Sequence, residues 1–381
     1  MTPSPIFGPP RRVYFLSGFD PRGAPHYYRL FAEQLRVYTA RTARALELGR
    51  RRSQADQLLS RWSVQEEGRS RLEMVFLHWD DIARQNWPRR PIPLIWEGLG
   101  MYGWYLFGGG CWRIARWSPQ VALCGLYPGL FTVIGAGLAL LLAGLAGGTA
   151  QGFGLSLGLA AGVAVLAAAA LLALAWRLAE QLGVVWLFRS IRFTHQLGQA
   201  RDRSLRQRVE QLAQRLLELE RQEVAGEVLL VGHSSGSFVM AMLAAELRRQ
   251  ASWPQLAGRL RLLSLGQNLA NLAVHRGAER FHGDLLELAA DPRPAWLDIT
   301  SRDDYLCFAG VDPYRCFGLS RPAGEVYPEL RLIPLAEPRG IRSWWQLLAC
   351  QFDLHFDYLR SGDPALGGFD WMGLLLEGCD G

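Results

Sequence analysis

The most conspicuous pattern along the chain is a long absence of charge: no charged residue occurs from Trp117 until Arg177. Core elements of soluble proteins do not stay uncharged over such a length. Gly147-Gly148-Thr149-Ala150-Gln151-Gly152 divides the stretch into two apolar runs, about 121–146 and 153–176, each long enough to cross ~30 Å of hydrocarbon as a helix. The pattern predicts a two-helix transmembrane hairpin. Gly135, Gly137 and Gly144 in the first run, and Gly154, Gly158 and Gly162 in the second, would let the two backbones approach closely. Arg113 and Arg116 precede the runs and Arg177, Arg189 and Arg192 follow them, whereas the turn between carries no charge, which places both flanks on the cytoplasmic side. Trp87, Trp96, Trp104, Trp112 and Trp117, with Tyr102 and Tyr105 on the approach and Trp176 and Trp186 on the exit, suit segments lying at headgroup level.

Outside the hairpin, short apolar runs alternate with helical spacing, the pattern of an α/β domain with a mainly parallel sheet. Val13–Leu16, Met74–Leu77, Val228–Val231, Leu260–Leu265, Trp296–Thr300 and Leu330–Leu335 read as strands. Tyr27, Leu30, Phe31, Leu35 and Tyr38 recur at helical steps, and Leu205, Val209, Leu212, Leu216 and Leu219 make a stripe on an otherwise charged helix. With no repeat or low-complexity linker between the halves, residues 1–90 and 198–381 read as one domain, with 91–197 inserted as a membrane unit.

A half-apolar chain of 381 residues supports a sizeable core. Its net charge of +6 comes mostly from scattered arginines rather than one basic stripe, which argues against nucleic acid; anionic lipid headgroups account for those beside the apolar runs. Cys111, Cys124, Cys307, Cys316, Cys350 and Cys379 form no CxxC pair and fit a reducing compartment. Pro3, Pro5, Pro9 and Pro10 lead into Arg11-Arg12 without the apolar region of a cleaved signal peptide or a twin-arginine export signal. A composition rich in alanine, leucine, arginine and glycine, with cytoplasmic flanks, fits a bacterial inner membrane.

Gly232-His233-Ser234-Ser235-Gly236 carries the clearest chemistry, because an apolar strand precedes it and the helix-like run Phe238–Leu247 follows without a break. This is the setting of a nucleophile elbow, where glycines on both sides permit a tight strained turn and Ser234 is presented at the sheet edge. The helix behind it aims backbone N–H groups at the site, so that the Ser235 N–H forms half of an oxyanion hole. His233 faces away in such a turn and makes a poor base. His78-Trp79-Asp80-Asp81 closes a strand at the rim and reads as loop capping or substrate-side lining rather than as a metal site. No glycine-rich phosphate cradle is present, and no cofactor or metal is expected.

The strand, elbow and helix around Gly232–Gly236 resemble the α/β-hydrolase superfamily. That resemblance implies the chain order Ser, then Asp or Glu in a loop after a later strand, then His. Ser301-Arg302-Asp303-Asp304 follows Trp296–Thr300, so Asp304 or Asp303 is the implied acid, with Asp304 preferred. His275 and His282 precede that loop, and only His355 satisfies the order. The loop after the first strand, Ser17-Gly18-Phe19-Asp20, occupies the place of the second oxyanion donor, which assigns that role to the Phe19 N–H and departs from the family's His-Gly pattern. The implied function is hydrolysis of an ester or related acyl bond of a small molecule or lipid at the bilayer. The rivals are a catalytically silent membrane scaffold on the same fold and a transport component, which two helices without ionisable residues do not favour.

Overall fold

Strand β1 (Arg11–Leu16) lies mid-sheet and is buried on both faces from Arg12 onward, which explains its unbroken apolar run. The computed structural model describes residues 10–88, 91–291, 293–319 and 327–378; the expectations made for Pro3, Pro5, Pro9 and Cys379 lie outside them. After β1 come α1 (Gly23–Thr42), β2 (Leu46–Leu48), β3 (Arg52–Ser53), β4 (Leu59–Glu66) and β5 (Arg69–Leu77). The chain then runs through α2 (Asp80–Gln85), α3 (Pro91–Leu106), α4 (Gly110–Ala115), α5 (Pro119–Gly152), α6 (Leu157–Gln181), α7 (Val184–Leu197) and α8 (Arg203–Gln222) before returning to the sheet at β6 (Val228–His233). Next follow α9 (Gly236–Arg248), α10 (Trp253–Ala257), β7 (Leu260–Leu265), α11 (Leu269–Ala273), α12 (Glu279–Ala289), β8 (Trp296–Thr300), β9 (Glu329–Leu332), α13 (Trp344–Ala349), α14 (Gln351–Phe356) and α15 (Trp371–Glu377).

The strand order is β2-β4-β5-β1-β6-β7-β8-β9, with β3 on β4. Every pairing from β5 to β9 is parallel, whereas β2, β3 and β4 add an antiparallel edge. The protein is therefore α/β with a mostly parallel mixed sheet. The antiparallel edge was not among the expected strands: β4 alternates only loosely, with Leu59, Trp62 and Val64 inward, and its register slips at Val64/Gln65. Helix α1 covers one face through Tyr27, Phe31, Leu35 and Tyr38, and α8 buries the predicted stripe from Leu205 to Leu219.

The described residues form two compact units, one holding those up to Trp87, Arg116–Ser118 and those from Thr194 onward, the other those of Pro88–Ala115 and Pro119–Phe193. In the second unit, α5 and α6 are long and apolar enough to cross a membrane, and only 11% and 6% of their most apolar windows are buried. Helices serving a soluble core would hide these side chains; here Leu140, Leu141, Val165 and Leu166 face outward. The turn falls at Phe153–Ser156 rather than at Gly147–Gly152, because α5 continues to Gly152 and Gly154 supplies the positive φ of 84°. Gly147 does not break the helix. A Cβ there would lie 3.1 Å from the Ala160 carbonyl oxygen, so its missing side chain permits close packing instead. The contact face of α5 is Ala139, Ala143, Gly147 and Ala150, whereas Gly137, Gly144, Gly158 and Gly162 have no atom within contact range of an added Cβ, and Gly154 lies outside α6. Alanines therefore supply most of the small-residue surface assigned to those glycines. Nearby, the Tyr105 hydroxyl donates to the Ala122 carbonyl at 2.7 Å and the Tyr102 hydroxyl to that of Gly125 at 3.1 Å.

In the first unit, an ion cluster under the sheet ties α8 to β1. Arg12 donates to Glu220 Oε1 at 2.7 Å and to Glu73 Oε2 at 2.6 Å, the Tyr14 hydroxyl donates to the same Glu220 oxygen at 2.9 Å, and Arg259 pairs with the other. Arg12 and Glu220 are each buried. Removing one member of such a cluster leaves uncompensated buried charge, so Glu220→Ala is expected to destabilise the protein by about 3–5 kcal/mol. Denaturant unfolding of the detergent-solubilised chain, followed through its tryptophans, measures this.

Candidate active site

Strand β6 delivers a tight turn directly into α9. Ser234 takes φ +56°, a left-handed conformation that a non-glycine residue adopts only at a cost of about 1–3 kcal/mol. Packing enforces it. A Cβ at Gly232 would sit 2.5 Å from the Gly236 carbonyl oxygen, and one at Gly236 would sit 2.3 Å from that of Leu16. The Ser234 N–H is spent on the Leu265 carbonyl at 2.9 Å, and its own carbonyl accepts from the Ser237 hydroxyl at 2.6 Å. Ser235 stands at the N-terminal boundary of α9 and is buried. The Ser17–Asp20 loop closes over the same point: a Cβ on Gly18 would be 3.0 Å from Ser234 Cβ, and the neighbouring Phe19 ring packs beside Trp79 and Trp87.

The two adjacent aspartates after β8 have different tasks. Asp304 Oδ2 accepts from His355 Nδ1–H at 2.8 Å, and its other oxygen accepts from the Leu306 N–H at 2.9 Å. Asp303 Oδ2 instead accepts the backbone N–H groups of Leu335 and Ala336, both at 2.9 Å, and so ties the chain after β9 to this loop. Of the two, Asp304 is the one paired with His355. Because a carboxylate can only accept, the proton of this bond sits on Nδ1, the tautomer in which a neutral imidazole keeps its lone pair on Nε2. Both partners are buried.

His233 is not exposed either. Its Nε2–H donates to the His355 carbonyl at 2.8 Å and its ring centre lies 5.1 Å from that of His355. Burial, helped by the neighbouring His355, pushes its pKa down to about 3. The remaining histidines serve elsewhere: His282 donates to the Ala273 carbonyl and stacks on Phe317, and His275 packs against Gly198. His78 bridges Ser60 and Asp80, each at 2.8 Å, and Asp81 pairs with Arg208, so the His78–Asp81 run is built into the strand end; among the described residues no metal-binding group of three such side chains occurs.

Several contributors escaped the reading of the sequence. Asn268, just past β7, donates its side-chain amide to Ser234 Oγ at 3.3 Å and its backbone N–H to Ser237 Oγ at 3.0 Å. Among the described residues Ser234 Oγ bonds to Asn268 and not to His355. Gln351 clamps the acid loop, accepting from the Tyr305 N–H at 2.6 Å and donating to the Asp303 carbonyl at 2.9 Å. The position of Asn268 after a strand was readable; its contact with the neighbouring strand's elbow was not. Comparison of the chain with protein-family models, with curated proteins and with solved structures returns no match.

The buried His233 gives a test. An unfolded histidine binds a proton below about pH 6.5, whereas the folded one stays neutral down to about 3, so the stability it lends is full above the first value and is lost as pH falls towards the second. His233→Gln is expected to flatten the acid side of the stability curve relative to wild type, checked by thermal melts between about pH 7 and pH 4.

Proposed function

We propose that the protein is a membrane-anchored serine hydrolase of α/β-hydrolase type, cleaving an ester or related acyl bond. The observation that carries this reading is the buried Asp304–His355 hydrogen bond, joined through the His233 contact with the His355 carbonyl to a turn that holds Ser234 in the left-handed region between two close-packed glycines. Strained backbone of this kind gathers where chemistry is done. The order of the sheet, with the elbow on a central strand and the acid and the base after successive strands on one side of it, supports the same assignment.

In this mechanism Ser234 Oγ turns from Asn268 towards His355 Nε2, which takes its proton as the oxygen attacks the acyl carbon. Asp304 holds the imidazole in the required tautomer and supports its positive charge. The Ser235 and Phe19 N–H groups receive the carbonyl oxygen as it becomes an oxyanion. His355 then returns the proton to the leaving alcohol, and water activated by the same nitrogen releases the acid and restores Ser234. Helices α5 and α6 anchor the chain in the bilayer with both flanks on the cytoplasmic side, as their arginine-rich ends require. A bacterial inner membrane remains the proposed location, and amphiphilic acyl compounds the proposed substrates.

The alternative is a catalytically silent scaffold, favoured only by the hydrogen bond of Ser234 Oγ to Asn268 rather than to His355. Apo enzymes often show loose catalytic hydrogen bonds, which weighs against that alternative. A fluorophosphonate probe separates the two. Wild type is expected to be labelled, Ser234→Ala not at all, and His355→Ala and Asp304→Asn about 10⁴-fold more slowly. Failure of well-folded wild type to label would establish the scaffold.

A further inference from the structure

Within the helical unit a groove of about 580 Å³ opens between α3, α5, α6 and α7. Its volume falls in the range of ligand pockets, roughly 300–1,000 Å³. Leu94, Val184, Val185 and Phe188 form a buried floor, and Phe131 and Trp176 pack on it as flanking walls. Polar groups are nearly absent: the Thr132 hydroxyl is already donated to the Pro128 carbonyl at 2.8 Å. The one charged lining residue is Arg177, which is exposed and, among the described residues, has no ion-pair partner.

The groove is also ordered by depth. Arg177 lies near the end of α6 where the apolar run stops, and Leu172, also in the lining, lies about 7 Å deeper along the helix axis. Gly135 on α5 faces Ala175 across the hairpin, so the opposite wall descends in step. The geometry points to a binding site for one acyl chain of an anionic amphiphile, tail along the groove and headgroup at Arg177. Arg177 supplies the charge complement, and the run from charged rim to apolar interior matches the way a lipid stands in a leaflet. This inference rests on reading α5 and α6 as membrane spans, and it gives the proposed hydrolase a defined lipid partner.

The test uses the full chain in vesicles of phosphatidylcholine and phosphatidylglycerol. Alkaline extraction first reports on the spans: release into the soluble fraction would refute the spanning reading and this site with it, while leaving probe labelling of Ser234 untouched. With the chain retained, gentle solubilisation and native mass spectrometry count bound lipid. Wild type is expected to keep one phospholipid, phosphatidylglycerol over phosphatidylcholine by at least about 5-fold, a difference near 1 kcal/mol. Ala136→Phe and Ala173→Phe, filling the groove from opposite walls, are expected to lose it at unchanged melting temperature. Arg177→Gln is expected to keep a lipid and lose the preference. Equal retention by wild type and both filled variants, or a preference that survives Arg177→Gln, overturns the proposal.

Discussion

The left-handed turn at Ser234 is the constraint to which the rest of the candidate site is fitted. It survives because two approaches, Gly232 against the Gly236 carbonyl and Gly236 against the Leu16 carbonyl, leave no room for the backbone to relax. Those approaches in turn require β1 and β6 to be adjacent and parallel, a pairing that Arg12, Tyr14, Glu220 and Arg259 brace from beneath. Strain at one residue is thus balanced by packing and ion pairing distributed over four elements.

The surrounding polar contacts form a connected frame. Ser237 receives the Asn268 N–H and donates to the Ser234 carbonyl, which binds the end of β7 to the turn. His233 grips the backbone of His355, and Gln351 grips the loop of Asp304. His355 is therefore fixed through its main chain as well as through its ring, and a neutral His233 adds no positive charge next to it.

What could be read without coordinates followed the range of the interaction involved. The turn at Gly232–Gly236 was legible because Gly232 answers to Gly236 within the same short motif, whereas the approach of Gly236 to Leu16 was not. The stripe on α8 and the two long apolar helices were legible because period and length are local properties. Asp303 and Asp304 could not be separated that way: adjacent loop residues point differently, and only the contacts of Asp303 with Leu335 and Ala336 show which one is structural. The turn of the hairpin was misplaced because Gly147 and Gly148 look like helix breakers, whereas Gly147 is small to admit Ala160. The edge strands β2 to β4 were missed because short, largely polar segments announce themselves only through their partners. Asn268 belongs to the same group, since its role exists only across strands.

The position of the helical insertion also has a consequence for how the molecule is made. During synthesis β1 acquires one neighbour, β5, almost at once, but its other neighbour β6 is translated only after α5 and α6. A central strand with one open, apolar edge is a template for wrong pairing for as long as it waits. Half of the sheet therefore stands unfinished for as long as the ribosome takes to translate α5 and α6.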